Sequence, residues 1–347
     1  MLAVFASILL RTASGQPANK QAAPKTKNLY KNLVALSKKG TMFGHQDDLA
    51  YGVEWRYEPG RSDVKDVTGD YPAVYGWELG NLELDSSKNL DGVPFSNMRQ
   101  YIIEAYQRGA VITLSWHINN PLTGKNAWDP APGTVTSILP GGAQHEKFVQ
   151  WLDKGAAFIN SLQTASGEMI PVLFRPYHEL TGNWFWWCQN VCSADEFKQL
   201  WNYTITYLQQ VKKLNNLLYV YNTAEIRSKE HFMERYPGDD KVDIVSFDSY
   251  RHGNMTDSVF YARMNSAADI VLQVAAEHNK LAAIGETGYE TIPDAEWWTK
   301  KLFPIIKNKP LSYVLFWRNH GKMKDTDKMH YYVPFKGDIS ADDFVKF

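Results

Sequence analysis

Short apolar runs alternate along the chain with longer segments in which apolar residues recur every three or four positions. The apolar runs have the length of buried β-strands, and the longer segments have the period of amphipathic helices. Eight strands are predicted, at residues 41–44, 73–77, 111–115, 171–174, 218–221, 244–247, 282–285 and 313–316. Helices are predicted at residues 95–108, 145–162, 193–214, 258–278 and 294–307, and Ser193 and Glu196 form a capping box at the start of the third.

This alternation predicts parallel strands joined by crossover connections. Eight such units are the number required for a closed (β/α)8 barrel, so we predict an α/β TIM barrel built from a single domain over residues 25–347. Residues 45–70 and 117–140 are predicted to be long loops. A doubly wound open sheet is the alternative, but it normally carries a glycine-rich phosphate-binding turn, and the sequence contains no G-x-G-x-x-G or Walker pattern.

The first 20 residues are predicted to be a signal peptide. Residues 2–10 form an apolar run that is long enough for a signal peptide but too short for a transmembrane helix, and small residues follow it. We therefore expect a protein exported to the periplasm or secreted. No later apolar run is long enough to span a bilayer.

Composition narrows the choice of partners. The net charge is −1, which gives no electrostatic reason to expect binding to nucleic acid or to an acidic membrane surface. We also expect a monomer. The chain contains 12 Trp, 19 Tyr and 16 Phe, and many of the Trp stand beside polar residues. Flat apolar rings with polar neighbours suit the apolar faces of sugars. The two cysteines, Cys188 and Cys192, lie four residues apart, and the sequence leaves open whether they form a disulfide.

The residues that follow the predicted strands carry the candidate chemistry. In a barrel of this kind the C-terminal ends of all strands converge on one mouth. Ordinary turns would place Gly, Pro, Asn and Asp there. The exits instead carry His45; Trp77 and Glu78; Trp116 and His117; Arg175, His178 and Glu179; Asn222; Asp248 and Tyr250; Glu286; and Trp317, Arg318 and Asn319. This pattern favours a binding cavity at the mouth.

Glu179 and Glu286 form the central pair because they follow the fourth and seventh strands. Two carboxyl groups about 5–5.5 Å apart can cleave a glycosidic bond, one as acid/base and the other as nucleophile. Apolar surroundings raise a carboxyl pKa, which suits Glu179 for the acid because Tyr177 and Trp184 are near in sequence. Glu286 would then be the nucleophile, with Arg175 and Tyr250 as candidate hydrogen-bond donors. A role as a salt-bridge partner is the alternative for each Glu.

A metal site is the competing interpretation of His178. However, no histidine lies four residues after it, so H-E-x-x-H is absent, and the nine histidines are scattered. We therefore expect no catalytic metal and no cofactor. His178 is expected to orient Glu179 or to hydrogen-bond a substrate hydroxyl.

Several motifs together resemble glycoside hydrolase family 26. They are Arg175-Pro176-Tyr177-His178-Glu179 with Trp184, Ile284-Gly285-Glu286-Thr287-Gly288 and Phe316-Trp317-Arg318-Asn319, with Gly44-His45-Gln46 and Leu114-Ser115-Trp116-His117 as further matches. The resemblance covers about residues 40–320. It is specific, since the wider clan usually places Asn before the acid/base Glu, whereas this family places His there.

The resemblance implies a (β/α)8 barrel, a retaining mechanism and cleavage of β-1,4 bonds in mannan, glucomannan or galactomannan. It implies Glu179 as acid/base and Glu286 as nucleophile. The substrate-binding residues that it implies are His117, Trp128, Arg175, His178, Trp184, Tyr250, Trp317 and Arg318. Exo action on short oligosaccharides, activity on β-1,3-xylan or mixed-linkage β-glucan, and a glycan-binding protein without turnover stand as alternatives to an endo-mannanase.

Overall fold

The computed structural model describes residues 15–324 and 326–347. Residues 1–14 of the predicted signal peptide lie outside this part, and export stays a prediction. The Ala18 N–H donates a hydrogen bond of 2.6 Å to the buried Asp243, and Asn19 is also buried. The packed chain therefore includes residues that precede the predicted domain start at residue 25.

Eight parallel strands form a closed barrel, which confirms the predicted (β/α)8 architecture. Going round the barrel, each strand pairs with the strands before and after it in sequence, and the last strand closes onto the first. We number the barrel strands β1 Met42–Gln46, β2 Val74–Glu78, β3 Val111–Trp116, β4 Val172–Pro176, β5 Leu217–Thr223, β6 Ile244–Arg251, β7 Leu281–Tyr289 and β8 Leu311–Phe316. Each overlaps one of the eight apolar runs predicted to be strands.

Helices lie between the strands, and the five predicted helices all have counterparts. The α-helices are α1 Pro24–Leu36, α2 Asp63–Thr68, α3 Phe95–Gln107, α4 Thr134–Ile138, α5 His145–Asn160, α6 Ala194–Thr206, α7 Lys229–Met233, α8 Asp257–His278, α9 Phe303–Ile306 and α10 Ala341–Phe344. Turns of π-helix at Tyr207–Val211 and Trp297–Leu302 follow α6 and precede α9, and a 3-10 turn spans Leu82–Leu84. The predicted capping box at Ser193 is present. Within the described residues, no helix is both long and apolar enough to cross a bilayer.

The two predicted long loops are not wholly irregular. Residues 45–70 contain α2 and a hairpin of Tyr51–Gly52 with Trp55–Arg56, and residues 117–140 contain α4. These elements are too short to show a full amphipathic period, which is why the sequence pattern did not indicate them. A second hairpin pairs Gly321–Lys322 with Met329–His330 after β8.

The N-terminal end of the barrel is filled by apolar side chains. Tyr30 and Leu33 of α1 pack in one buried cluster with side chains such as Leu173, Leu218 and Leu315 from the strands. Because this end is sealed, polar side chains that point into the barrel lie towards the C-terminal ends of the strands. The open mouth is therefore the place to look for a functional site.

Candidate active site

The chain leaves β4 through a strained turn that carries Glu179. Tyr177 and Glu179 have φ angles of +50° and +56°, in the left-handed region that non-glycine residues rarely adopt. The buried Tyr177 hydroxyl holds the turn by a hydrogen bond of 2.8 Å to the Thr204 hydroxyl on α6. Such strain persists only where the surroundings over-determine the conformation, as they do at many active sites.

Two tryptophans in the loop after β4, Trp186 and Trp187, support this turn through hydrogen bonds. The indole of Trp186 donates to the Ile118 carbonyl at 2.9 Å, and that of Trp187 donates to the His178 carbonyl at 2.8 Å. Both rings are fully buried, so both cap the core, whereas Trp184 is 37% exposed. Cys188 and Cys192 lie in the same loop as buried free thiols, not as a disulfide.

Glu179 stands at the mouth with its side chain half-buried. It accepts a hydrogen bond of 2.7 Å from the Trp184 indole. Burial and, next, the neighbouring Glu286 carboxylate raise the pKa of Glu179 to about 7, although the Trp184 hydrogen bond acts in the opposite direction. The group that orients this carboxyl is therefore Trp184. The His178 ring hydrogen-bonds His117 instead.

Glu286 projects from β7 and is buried among donors. Arg175 donates to one carboxylate oxygen, and the Tyr250 hydroxyl donates to the other at 2.8 Å. Arg175 also donates to Asp248 at 3.1 Å, so one guanidinium ties two carboxylates together. A Cβ on the preceding residue, Gly285, would come within 2.7 Å of Asp248 Oδ1, which explains why a residue without a side chain stands there.

The separation of the carboxylates indicates what they can do together. One oxygen from each of Glu179, Asp248 and Glu286 lies within 4.8 Å of the others. Retaining glycosidases hold their two carboxyl groups about 5–5.5 Å apart, whereas inverting enzymes need about 6.5–9.5 Å to admit a water molecule. The Glu179–Glu286 pair has the closer, retaining geometry.

The same three carboxylates are the cluster within the described residues whose ligand atoms are close enough for a metal ion. Arg175 already contacts two of them, and its fixed positive charge occupies the role that a cation would have. Burial and then the Glu286 charge raise the pKa of Asp248 well above its usual range. Because the guanidinium already pairs with two of the three carboxylates, the set does not fit a divalent ion.

A second group of buried side chains lies near Glu179 and Glu286. Glu78 at the end of β2 contacts His117 Nδ1 through Oε2 at 2.8 Å, and His117 Nε2 lies 3.1 Å from His178 Nε2. The exposed Trp128 ring stacks on His117 with 4.9 Å between ring centroids, and Phe185 packs against both histidines. Trp128, which is 47% exposed, thus forms an aromatic surface beside the carboxylates.

The remaining predicted residues stand at the end of β8. Trp317 follows the strand and is half-buried, and its backbone N–H donates a hydrogen bond of 3.1 Å to the Thr287 carbonyl. Arg318 pairs with the buried Asp91 at 3.3 Å and also donates to the Tyr51 hydroxyl at 3.3 Å. All ten residues predicted for the site lie at or next to the C-terminal ends of the strands or in the loops that follow them.

A cavity of about 630 Å³ opens on one side of Glu179. It is lined by Glu179, Trp184, Asp248, Tyr250 and, among others, Glu225, His252 and Arg263. Its size suits small sugar units, and its lining combines an aromatic ring with charged groups.

Sequence reasoning missed several residues of the site. Asp248 and Glu78 stand at strand exits, and this position is the signal that the sequence offers, but it assigns neither residue a role. Phe185 and Asp91 carry no such signal, because both lie in loops whose contacts depend on the tertiary fold.

Known proteins resemble this chain in sequence and in fold. A family profile described as glycosyl hydrolase family 26 matches residues 18–296. The chain is 30% identical over 345 residues to a mannan endo-1,4-beta-mannosidase of Bifidobacterium adolescentis, which covers 94% of this chain and 34% of that protein. It is 28% identical to a mannan endo-1,4-beta-mannosidase of Thermothelomyces thermophilus, covering 80% of this chain and 53% of that protein. The chain thus spans about a third and about half of the lengths of these two relatives.

Solved structures resemble the chain over nearly its whole length. A GH26 β-mannanase from Bacteroides ovatus is 45% identical with a TM-score of 0.89, covering 94% of this chain and 93% of that one. The catalytic domain of a GH26 endo-β-1,4-mannanase from Bacillus sp. JAMB-750 is 30% identical with a TM-score of 0.87, covering 95% and 91%. The family profile covers most of the sequence, and the solved GH26 structures share the fold of this chain. The chain therefore belongs to glycoside hydrolase family 26.

Proposed function

We propose that this chain is an endo-acting β-1,4-mannanase that hydrolyses mannan, glucomannan or galactomannan with retention of configuration. The observation that carries the proposal is the pair of carboxylates, Glu179 and Glu286, with oxygens within 4.8 Å of each other at the mouth of the barrel. The choice of mannan is supported by the relatives, which are described as mannan endo-1,4-beta-mannosidases and β-mannanases.

In the first step, Glu286 attacks the anomeric carbon while Glu179 donates its proton to the departing glycosidic oxygen. Arg175 and Tyr250 each hold one oxygen of Glu286, so the attacking carboxylate has a fixed direction. The pKa of Glu179 of about 7 leaves a substantial protonated fraction at neutral pH, as a general acid requires.

In the second step, Glu179 acts as a base. It takes a proton from water, and the resulting nucleophile releases the sugar from Glu286. By then the ester bond between Glu286 and the sugar has removed the negative charge of Glu286. Since that charge is one cause of the raised pKa of Glu179, its loss makes the deprotonated form easier to hold.

Endo action is supported by the relatives, which are described as mannan endo-1,4-beta-mannosidases. Trp128 and Trp184 are large, exposed rings near the carboxylates, so sugar rings can stack on them. An exo-acting enzyme would need a wall at one end of this cleft. Polymeric mannan does not cross membranes, so we also propose that the chain acts outside the cytoplasm. We propose separately that it acts as a monomer.

The test is incubation of the purified protein with galactomannan, glucomannan, lichenan and β-1,3-xylan, with products resolved by size. The proposal expects hydrolysis of the mannans and a spread of product lengths from the start. A single product length at early times would mean exo action, and turnover of lichenan or xylan alone would overturn the substrate assignment.

Glu286→Ala separates catalysis from simple binding. It should abolish turnover, because it removes the nucleophile, while binding of manno-oligosaccharides persists. The matched control is Glu146→Ala, which removes an exposed carboxylate on α5 and should leave the rate unchanged. Full activity of Glu286→Ala would refute the mechanism.

A further inference from the structure

Glu78 is a buried carboxylate, and both of its oxygens accept hydrogen bonds from neighbouring groups. Oε1 accepts from the Gly80 and His117 backbone N–H groups, each at 2.6 Å. Oε2 accepts from the Ser115 hydroxyl at 2.6 Å and lies 2.8 Å from His117 Nδ1. A protonated carboxyl must donate one hydrogen bond, and the two backbone N–H groups at Oε1 cannot accept it, so the proton would have to replace the hydrogen bond from Ser115 or from His117 at Oε2. Although burial alone would raise it, the pKa of Glu78 is lowered by His117 and by these donors.

An ionised Glu78 determines which protons its neighbour carries. His117 Nδ1 must hold a hydrogen in order to donate to Oε2. On the other side of the ring, His117 Nε2 faces His178 Nε2 at 3.1 Å, and a hydrogen bond between two ring nitrogens contains one proton. That proton belongs either to His117, which is then an imidazolium, or to His178.

The surrounding charges favour His117. Burial, the largest single effect, opposes a positive charge on His117, but the carboxylates of Glu78, Glu286 and Asp91 together outweigh it and raise the pKa of His117. Burial, the His117 charge and the Arg175 guanidinium all lower the pKa of His178. The His117 imidazolium in turn acts on Glu179, whose pKa it lowers.

We propose that Glu78 is a positioning residue that holds His117 as an imidazolium beside the two catalytic carboxyls. His117 then donates Nε2–H to His178, which is neutral, accepts at Nε2 and keeps its own proton on Nδ1. Nδ1 of His178 is buried and has no hydrogen-bond partner within the described part of the chain, so it is left as a donor for a bound group. Glu78 acts through the histidines and touches neither the substrate nor the reacting atoms.

The wild-type protein provides the first test. Histidine labelled with ¹⁵N on both ring nitrogens reports their protonation by NMR, without any dependence on turnover. We expect both nitrogens of His117 to be protonated at pH 7, and His178 to be protonated at Nδ1 alone. A neutral His117, or a His178 that carries its proton on Nε2, would overturn the proposal.

Glu78→Gln provides the second test. The amide oxygen must take the Oε1 position, because two backbone N–H groups donate there, so the amide NH₂ faces His117 Nδ1. The variant should therefore convert His117 into a neutral ring that is protonated on Nε2 alone. Ser115→Ala is the matched control, since it removes one hydrogen bond to Glu78 but keeps the negative charge, and His117 should stay an imidazolium. An unchanged His117 spectrum in Glu78→Gln would refute the role of Glu78.

A kinetic measurement distinguishes this role from a merely structural one, and this part rests on the proposed function. Without the positive charge on His117, the pKa of Glu179 rises further, so the basic limb of the kcat/KM profile on manno-oligosaccharides should move to higher pH. A structural defect would lower kcat/KM at all pH values without moving the limb, which would count against the proposal. If the chain did not cleave mannan at all, the NMR result would still decide the protonation of His117.

Discussion

Trp184 contributes both a ring surface and a hydrogen bond to the candidate site. Its indole N–H donates to Glu179 at 2.7 Å, and a hydrogen bond of this kind stabilises the charged carboxylate over the neutral acid. Burial and the Glu286 charge act in the other direction and prevail, with a resulting pKa of about 7. Activity that needs protonated Glu179 should therefore fall as the pH rises through about 7.

Trp184→Phe is expected to move that fall to higher pH. The substitution keeps an aromatic ring but removes the donor, so the carboxylate loses stabilisation and the pKa of Glu179 rises. The measurement is kcat/KM against pH on a manno-oligosaccharide for both proteins. A basic limb at the same pH in both would show that this hydrogen bond does not control the acid.

Glu179→Ala is expected to affect substrates according to their leaving groups. General acid catalysis contributes about 10²–10⁴-fold, so mannan hydrolysis should fall by about that factor. An aryl mannoside with an acidic phenol needs no proton to depart, and its first step should be nearly preserved.

Azide extends the same experiment to the second step. This anion needs no general base, so it should restore turnover of the aryl substrate by Glu179→Ala and yield a β-glycosyl azide. An equal loss on mannan and on the aryl mannoside, without rescue, would remove Glu179 from the acid/base role.

At the scale of elements, the loop after β4 holds its shape through close packing. Gly182 lies against the indole of Trp184, and a Cβ added there would come within 2.6 Å of the ring. Real Cβ atoms do not approach so closely, so any side chain at this position must displace Trp184. The loop thus depends on a glycine for the position of the residue that contacts the acid.

Gly182→Ala should therefore lower kcat/KM by about 10–100-fold, since a small misplacement of a catalytic contact has that effect. Gly40→Ala is the matched control, because an added Cβ there meets nothing within 4 Å. Thermal unfolding of both variants separates a local displacement from a loss of the fold. Equal activity of the two variants would contradict the proposed dependence on Trp184.

At the scale of the whole molecule, the closed barrel is what brings the two carboxyls together. Glu179 follows β4 and Glu286 lies in β7, three strand positions away around the ring. The barrel has a fixed circumference, so it also fixes the gap between them, and oxygens within 4.8 Å of each other match the shorter carboxyl separation of retaining enzymes.

Retention is therefore expected for the hydrolysis product. Proton NMR of the reaction in progress should show the β-anomer first, followed by slow mutarotation to the equilibrium mixture. If the α-anomer appeared first, the two-step mechanism through Glu286 would be wrong.

The sequence determined the architecture because periodicity reports burial. Barrel strands are covered on both faces and read as apolar runs, and the covering helices read as amphipathic segments, so all eight strands were predicted within a few residues. Convergence of strand ends then identified Glu179, Glu286, Arg175 and Tyr250 as neighbours. Short elements such as α2 and α4 could not be predicted from periodicity, because five or six residues contain less than two helical turns.

Only the tertiary structure decided which side chains touch. It gave Glu179 a hydrogen bond from Trp184, whereas the sequence suggested His178, and it linked His178 to His117, which lies 61 residues away. It also brought Glu78 to His117 across 39 residues and divided the tryptophans between the core and the cleft. These partners are chosen by the paths of loops and by small rotations of side chains, and neither leaves a periodic mark on the sequence.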